Sequence, residues 1–499
     1  MTNIKLHFNG INGATGAPLT PAKTEQEWMG WILGEDLKEP EEQKNILRTT
    51  WEKRRKEVMG VIAGVDPQDI EQVHWGIIYP EGTSEEVKKE LAELVSHRKG
   101  RELTYKPGTP YWRFRKDHGQ GPGVVNPDNL PYYLLIVGSP AEIPFRFQYG
   151  MDTEHAVGRI YFEDVKDYGR YAEHVLEYEG ASGSLPRERR VAFFSTSNAD
   201  DEATARSDEY LVEPLATKLQ GKQLKTIDGK EIGGTEFAEK RIPTPDGQPL
   251  VYETEQVRSD EATKEALVNL LTRESQPPAV VFTASHGLGF PNGHKLQETD
   301  QGALVCAKWP GPEVWPEDKG LEEGMYLAGR HLSPNARFDD LIVFTFACYS
   351  AGTPHLEDFD HFGHYSPEEL APQPFVAHLP QRLLAQGALV FIGHVDRAWD
   401  YSFLWPDVED HTDTFRSTLE ATLTGVPVGH AFEYFHRRYQ DLNDYLTGSH
   451  EDSLINQYYG GHADLLEMAS TWTARNDARA YVLYGDPAVR LKWASMPAV

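Results

Sequence analysis

The sequence predicts an α/β protein whose sheet is mostly parallel and flanked by helices. Two patterns carry the prediction. From about residue 190 onward, short runs of Val, Ile and Phe alternate with stretches of helical periodicity, and parallel strands are the kind that need helical crossovers between them. Several of these runs are apolar throughout, as strands covered on both faces are. Length adds a third observation: 499 residues exceed what one core organises, so two to three units are expected.

Taken in chain order, Trp28, Trp31, Ile32, Leu37, Leu47 and Trp51 recur among Lys and Glu and predict amphipathic helices over 24–60. "HWGIIYPEG" reads as a strand and "TSEEVKKELAELVSHRKG" as a helix, with Val87, Leu91 and Leu94 at helical spacing and Gly100 ending the pattern. "PYYLLIVGSPAEIPF" is a buried strand closed by turn residues, and "YFEDVKDYGRYAEHVLEYEG" supplies another helix. Gly, Ser and Pro concentrate in "GASGSLPRERR" at 180–190, which sets a boundary between units.

Past that boundary come a strand in "RVAFFST", a helix over about 202–219 and a strand near "LVYETE". "SDEATKEALVNLL" follows as a helix, with Ala262, Ala266, Leu267, Leu270 and Leu271 on one face and Ser259 as N-cap. The strand "VVFTASHG" ends at His286, a Gly- and Pro-rich insertion fills 288–340, and the strand "VFTFACYSAG" ends at Cys348. A helix in "FVAHLPQRLLAQG", the strand "ALVFIGHVD", helices near 412–445 and 462–475 and a last strand in "AYVLYGDPAVRL" complete the order.

Composition narrows the partners. Forty-nine Lys and Arg against 77 Asp and Glu give a net charge of -28, which repels phosphate backbones and anionic headgroups, so neither nucleic acid nor a membrane is expected as a partner. The opening residues lack an apolar signal region and no run is long enough to span a bilayer, which points to a cytoplasmic protein. Two cysteines, Cys306 and Cys348, make no disulfide framework and fit a reducing compartment. No G-x-x-x-x-G-K-[ST], G-x-G-x-x-G or G-x-S-x-G motif occurs, and no cofactor is implied. His355, His361 and His364 in "HLEDFDHFGH" match no standard metal spacing, so no metal is assigned.

In an open parallel sheet, reactive groups collect beyond the carboxyl ends of strands. His286 and Cys348 both stand there. A lone strand-end histidine is usually a hydrogen-bonded core residue and a lone buried cysteine a small hydrophobe. Two in matched settings favour a dyad instead, with the imidazole taking the thiol's proton and later protonating a leaving amine. Gly287, with no side chain, lets its N–H join that of Cys348 in stabilising an oxyanion. Cys306, inside the insertion, has no matching histidine strand and reads as structural.

"VVFTASHG", followed 62 residues after its histidine by "VFTFACYSAG", resembles the His-Gly and Ala-Cys blocks of the caspase-like cysteine peptidases, which include caspases, legumains, gingipains, separases and CHAT proteases. The likeness is greatest to the gingipain-type and CHAT-like members and spans about 130–491. It implies an N-terminal extension over 1–120, a noncatalytic caspase-like subdomain over 121–185, and a catalytic domain over 186–499 with C-terminal helices. It further implies an endopeptidase acting on protein or peptide substrates, latent until processed by an activating protease or engaged by a regulatory protein, in a bacterial signalling or defence role. Phe346-Ala347-Cys348-Tyr349 departs from the caspase pattern of Gln before Ala-Cys, so aspartate specificity does not carry over. In several relatives the segment matching "GHVDRAWDYSF" builds part of the specificity pocket. There Asp396 or Asp400 would accept a substrate Arg or Lys with Trp399 against its stem, and Glu357, Asp358 and Asp360 offer a second acidic wall. Either aspartate can instead pair with Arg397 or cap a turn, and Phe346 stands where some basic-specific relatives carry an acid. The competing class is a noncatalytic caspase-like scaffold that binds a partner through its acidic surface. A latent form is also open, with the insertion, which carries Lys319, Arg330 and Arg337, lying over the cleft.

Overall fold

The computed structural model describes residues 60–180, 188–220, 253–274, 277–316, 319–359, 367–406, 411–458 and 465–492, with shorter pieces at 5–7, 10–20, 22–24, 27, 225–227, 239–241 and 408. The helices expected over 24–60 fall almost entirely outside these residues, and of the linker at 180–190 only Gly180 and 188–190 lie within them.

Fourteen strands position the site: β1 Gly10–Asn12, β2 Trp75–Pro80, β3 Arg101–Tyr105, β4 Tyr133–Val137, β5 Ala156–Ile160, β6 Glu188–Ser195 and β7 Glu253–Arg258. They continue as β8 Pro278–Ala284, β9 Gly287–Gly289, β10 Leu304–Val305, β11 Tyr326–Leu327, β12 Ile342–Phe346, β13 Val390–His394 and β14 Tyr481–Gly485. Ten of them form one sheet in the order β7-β6-β8-β12-β13-β14-β5-β4-β2-β3. Eight of its pairings are parallel, and β13 with β14 is antiparallel. The sheet is therefore two parallel five-stranded halves running in opposite directions, joined at one seam. Strands from 1–120, 121–185 and 186–499 all contribute to it.

The apolar runs form strands because both faces are covered. Tyr133, Leu135 and Val137 of β4 pack into the main core, while Leu134 and Ile136 join Phe114 and Phe147 in a separate cluster on the other side. Helix Glu85–His97 is capped by Ser84, whose side chain accepts from the Val87 amide, and turns Leu91 and Leu94 inward. Helices Val165–Gly180, His378–Ala385, Asp413–Leu423, Glu433–Tyr458 and Leu465–Arg479 occupy the expected stretches. The helix expected over 202–219 is Glu202–Arg206, a π-helical stretch Ser207–Val212, and Glu213–Leu219 in succession.

One cap differs from expectation. Helix Lys264–Thr272 begins at Thr263, whose side chain accepts from the Ala266 amide, rather than at Ser259. Ser259 has a left-handed φ of 51° and opens a short 3-10 turn instead. The insertion is structured as well. Its β10 and β11 join β9 and β1 in a four-stranded sheet of order β11-β10-β9-β1, around Ile11, Leu288, Phe290, Val305, Trp309 and Tyr326.

Candidate active site

Register decides where the reactive side chains leave the sheet. Ser195 of β6, Ala284 of β8 and Phe346 of β12 lie level across three adjacent parallel strands. The Ser285 amide then donates to Phe346 O at 3.2 Å, continuing the ladder one step past β8. His286 and Cys348, each two residues beyond a level pair, thus leave neighbouring strands at the same level. Gly287 marks how tightly: a Cβ there would stand 1.8 Å from Cys348 O and 2.9 Å from Cys348 N. Only glycine fits against that backbone.

The cysteine sits where the chain turns sharply. Tyr349 adopts φ 56° and its amide donates to Asp396 O at 2.7 Å. The Cys348 sulfur accepts from the Ala398 amide at 3.2 Å. It is 0% exposed, and burial pushes the thiol up to about 12 while the Ala398 amide pulls the other way.

His286 is oriented from one side. Its Nε2 lies 2.9 Å from Asp201 Oδ2, the same oxygen that accepts from Thr204 Oγ1 at 2.6 Å. Burial raises the Asp201 carboxyl, but the imidazole and the Thr204 hydrogen bonds outweigh it and hold the group below its usual range. The ring stands edge-on to Trp309 of the insertion, centroids 5.7 Å apart. Its Nδ1 is buried and has no hydrogen-bond partner among the described residues. A ring fixed through one nitrogen with the other open is the arrangement a proton carrier needs.

Asp201 is the residue that reading the sequence missed. It follows β6, the neighbour of β8, so the strand-end rule that picked out His286 and Cys348 covers it too. In "STSNADDEATAR" an acid just before a helix reads first as a cap, and the histidine it holds lies 85 positions away.

The residues expected to contact substrate are buried in networks of their own. Asp396 (φ 74°) accepts from the Arg397 amide at 2.7 Å, from Arg397 Nε at 3.3 Å and from the Asp358 amide at 3.2 Å. Burial and the charge of Asp358 push it up to about 7. Arg397 also pairs with Glu357, and Asp358 with Arg146 and Arg479, each at 3.3 Å. Asp400 pairs with Arg206 at 3.1 Å, yet burial still pushes it up to about 7. Trp399 packs with Phe359, Tyr401 and Tyr439, and its amide donates to Asp477 at 3.0 Å. Asp360, His361 and His364 lie outside the described residues.

Elsewhere, His355 bonds Ala371 O at 2.7 Å. Among the described residues no group of three or more His, Cys, Asp or Glu is placed to hold a metal ion, and no helix is long and apolar enough to cross a membrane. Cys306 is buried beside Leu304 O at 3.5 Å, and burial pushes it up to about 12 as well.

Three solved structures are similar to this chain. One, a protease, has a TM-score of 0.43 at 11% identity, with 84% of this chain and 78% of that one covered. Two structures of the Saccharomyces cerevisiae separase–securin complex give TM-scores of 0.28 and 0.29 at 9% identity, covering 71% of this chain and 15% and 16% of those. No family model matches the chain, and no curated protein is similar to it in sequence.

Proposed function

We propose that the protein is a cysteine endopeptidase with Cys348 as nucleophile, His286 as general base and acid, and Asp201 as the group that holds the ring. The observation that carries this is the level exit of His286 and Cys348 from neighbouring strands, with one imidazole nitrogen anchored and the other open. In the reaction, the Sγ proton passes to His286 Nδ1 and the thiolate attacks the scissile carbonyl. The Gly287 and Cys348 amides receive the oxyanion. His286 then gives its proton to the departing amine, and water, deprotonated by the same nitrogen, hydrolyses the thioester to release the acid and restore the thiol. A basic residue before the scissile bond is read at Asp400, where a substrate guanidinium would take the place of Arg206, with Trp399 and Asp396 shaping the wall.

The full burial of Cys348 favours a second reading, a noncatalytic caspase-like module that binds a partner. One measurement separates the two. Prolonged treatment with a peptidyl electrophile carrying Arg should give one adduct by intact mass, absent in Cys348→Ala and slower in His286→Ala. An adduct that persists in Cys348→Ala, or forms at the same rate without His286, overturns the peptidase.

A further inference from the structure

The strand lying on the thiol comes from the start of the chain. β1 runs parallel to β9 with Gly10 opposite Gly287, Ile11 opposite Leu288 and Asn12 opposite Gly289, and the Gly13 amide extends the pairing to Gly289 O at 2.7 Å. The chain then folds back, with Asn12 and Ala17 bonded at 2.8 Å and the Leu19 amide donating to Gly10 O at 2.8 Å. Ile11 is buried among Leu288, Phe290 and Trp309. A Cβ on Gly10 would stand 3.0 Å from Cys348 Sγ and 3.3 Å from its Cβ, so the bare backbone of Gly10 rests on the nucleophile. Upstream, His7 Nε2 lies 2.9 Å from Glu202, the neighbour of Asp201, and its amide is among the groups that hold the Asp400 carboxyl. The segment thus meets both ends of the candidate cleft, while the insertion meets His286 through Trp309.

We propose that residues 10–19 are a built-in plug that occupies the place of a substrate strand and keeps Cys348 unreactive until it is displaced. The regulatory meaning rests on the peptidase reading; the occlusion itself does not. Glycine at position 10 is what lets the plug seat, since a Cβ there would stand at bonding rather than packing distance from Sγ. Its hold is a three-residue strand extended by Gly13, the buried Ile11, and the packing of Ala14, Gly16 and Leu19.

Two full-length variants test this. Ile11→Asp places a charge in the apolar cluster and should eject the segment, raising the rate of Cys348 alkylation by iodoacetamide about tenfold or more. In Gly10→Cys the new Cβ would lie at the separation, about 3 Å, that a sulfur–sulfur bond requires between one Cβ and the opposite sulfur. Diamide, accepting two hydrogens, should therefore join the new thiol to Cys348, and Cys348→Ser should abolish the link. Wild-type Cys348 alkylating as fast as in Ile11→Asp, with no crosslink, overturns the plug. Faster labelling of Ile11→Asp without cleavage of any Arg or Lys peptide keeps the plug and removes the peptidase. Peptide turnover by wild type equal to that of Ile11→Asp keeps the peptidase and removes the plug.

Discussion

In the half-sheet of β7, β6, β8, β12 and β13, the buried polar residues beyond the strand ends include one left half-satisfied, the His286 ring with Nδ1 open. In the opposite half, one buried network of charges is saturated. Arg98 gives Nε to Asp486 at 2.8 Å and its two terminal nitrogens to Glu179 at 2.7 and 2.6 Å, His97 reaches Glu179 at 2.6 Å, and Trp75 Nε1 donates to Asp486 at 2.9 Å. Strand type and burial are alike in both halves. The difference teaches that burial of polar groups alone does not mark a reactive site: the closed Arg98 network staples elements together, while His286 keeps one nitrogen open at the level where Cys348 leaves the sheet.

Substitutions on either side should therefore have opposite signatures. Cys348→Ala has the largest expected effect, reducing turnover of a plug-released chain to the buffer level, while urea unfolding shifts by only about 1–2 kcal/mol. Asp201→Asn comes next: it keeps the shape but removes the charge and favours the wrong tautomer, so kcat should fall about 10²- to 10⁴-fold with little change in the denaturation midpoint. A large loss of stability with unchanged kcat would make Asp201 a staple like Glu179. Glu179→Ala should do the reverse, leaving Arg98 buried without its partner at a cost of about 3–5 kcal/mol in urea unfolding, with kcat of the folded fraction unaltered. The smallest effect is in pH. Burial raises the Glu179 carboxyl, but Arg98 and His97 bring it below its ordinary value. Its contribution is then complete above about pH 4.3 and lost as pH falls through the lower folded value. Thermal melts should show this acid limb in wild type and a shallower one in Glu179→Gln; identical limbs would place the acid sensitivity elsewhere.

What was legible in the sequence follows from which forces act locally. "VVFTASHG" and "VFTFACYSAG" announce themselves because a doubly covered strand must be apolar throughout, and the switch to His286 and Cys348 marks where cover ends. The α/β class was legible for the same reason. The seam was not: "YVLYG" of β14 reads the same whichever way its neighbours run, because strand direction is set by pairing rather than by side chains. Nor was β1, since "GIN" carries one apolar residue and becomes a strand only because the edge of Gly287–Gly289 is there to receive it. Ser259 suits a cap by residue type alone, and Thr263 takes the place because its side chain reaches the Ala266 amide.

The seam also bears on how the molecule is made. β14 follows every other strand of the large sheet in the chain, yet it lies at the middle, bonded to β13 on one side and β5 on the other. A polypeptide emerging from a ribosome would carry two separate half-sheets, each with a bare rim open to wrong partners, until the final strand is delivered and zips them together. Assembly of the whole scaffold is thereby held back until its last strand has been made.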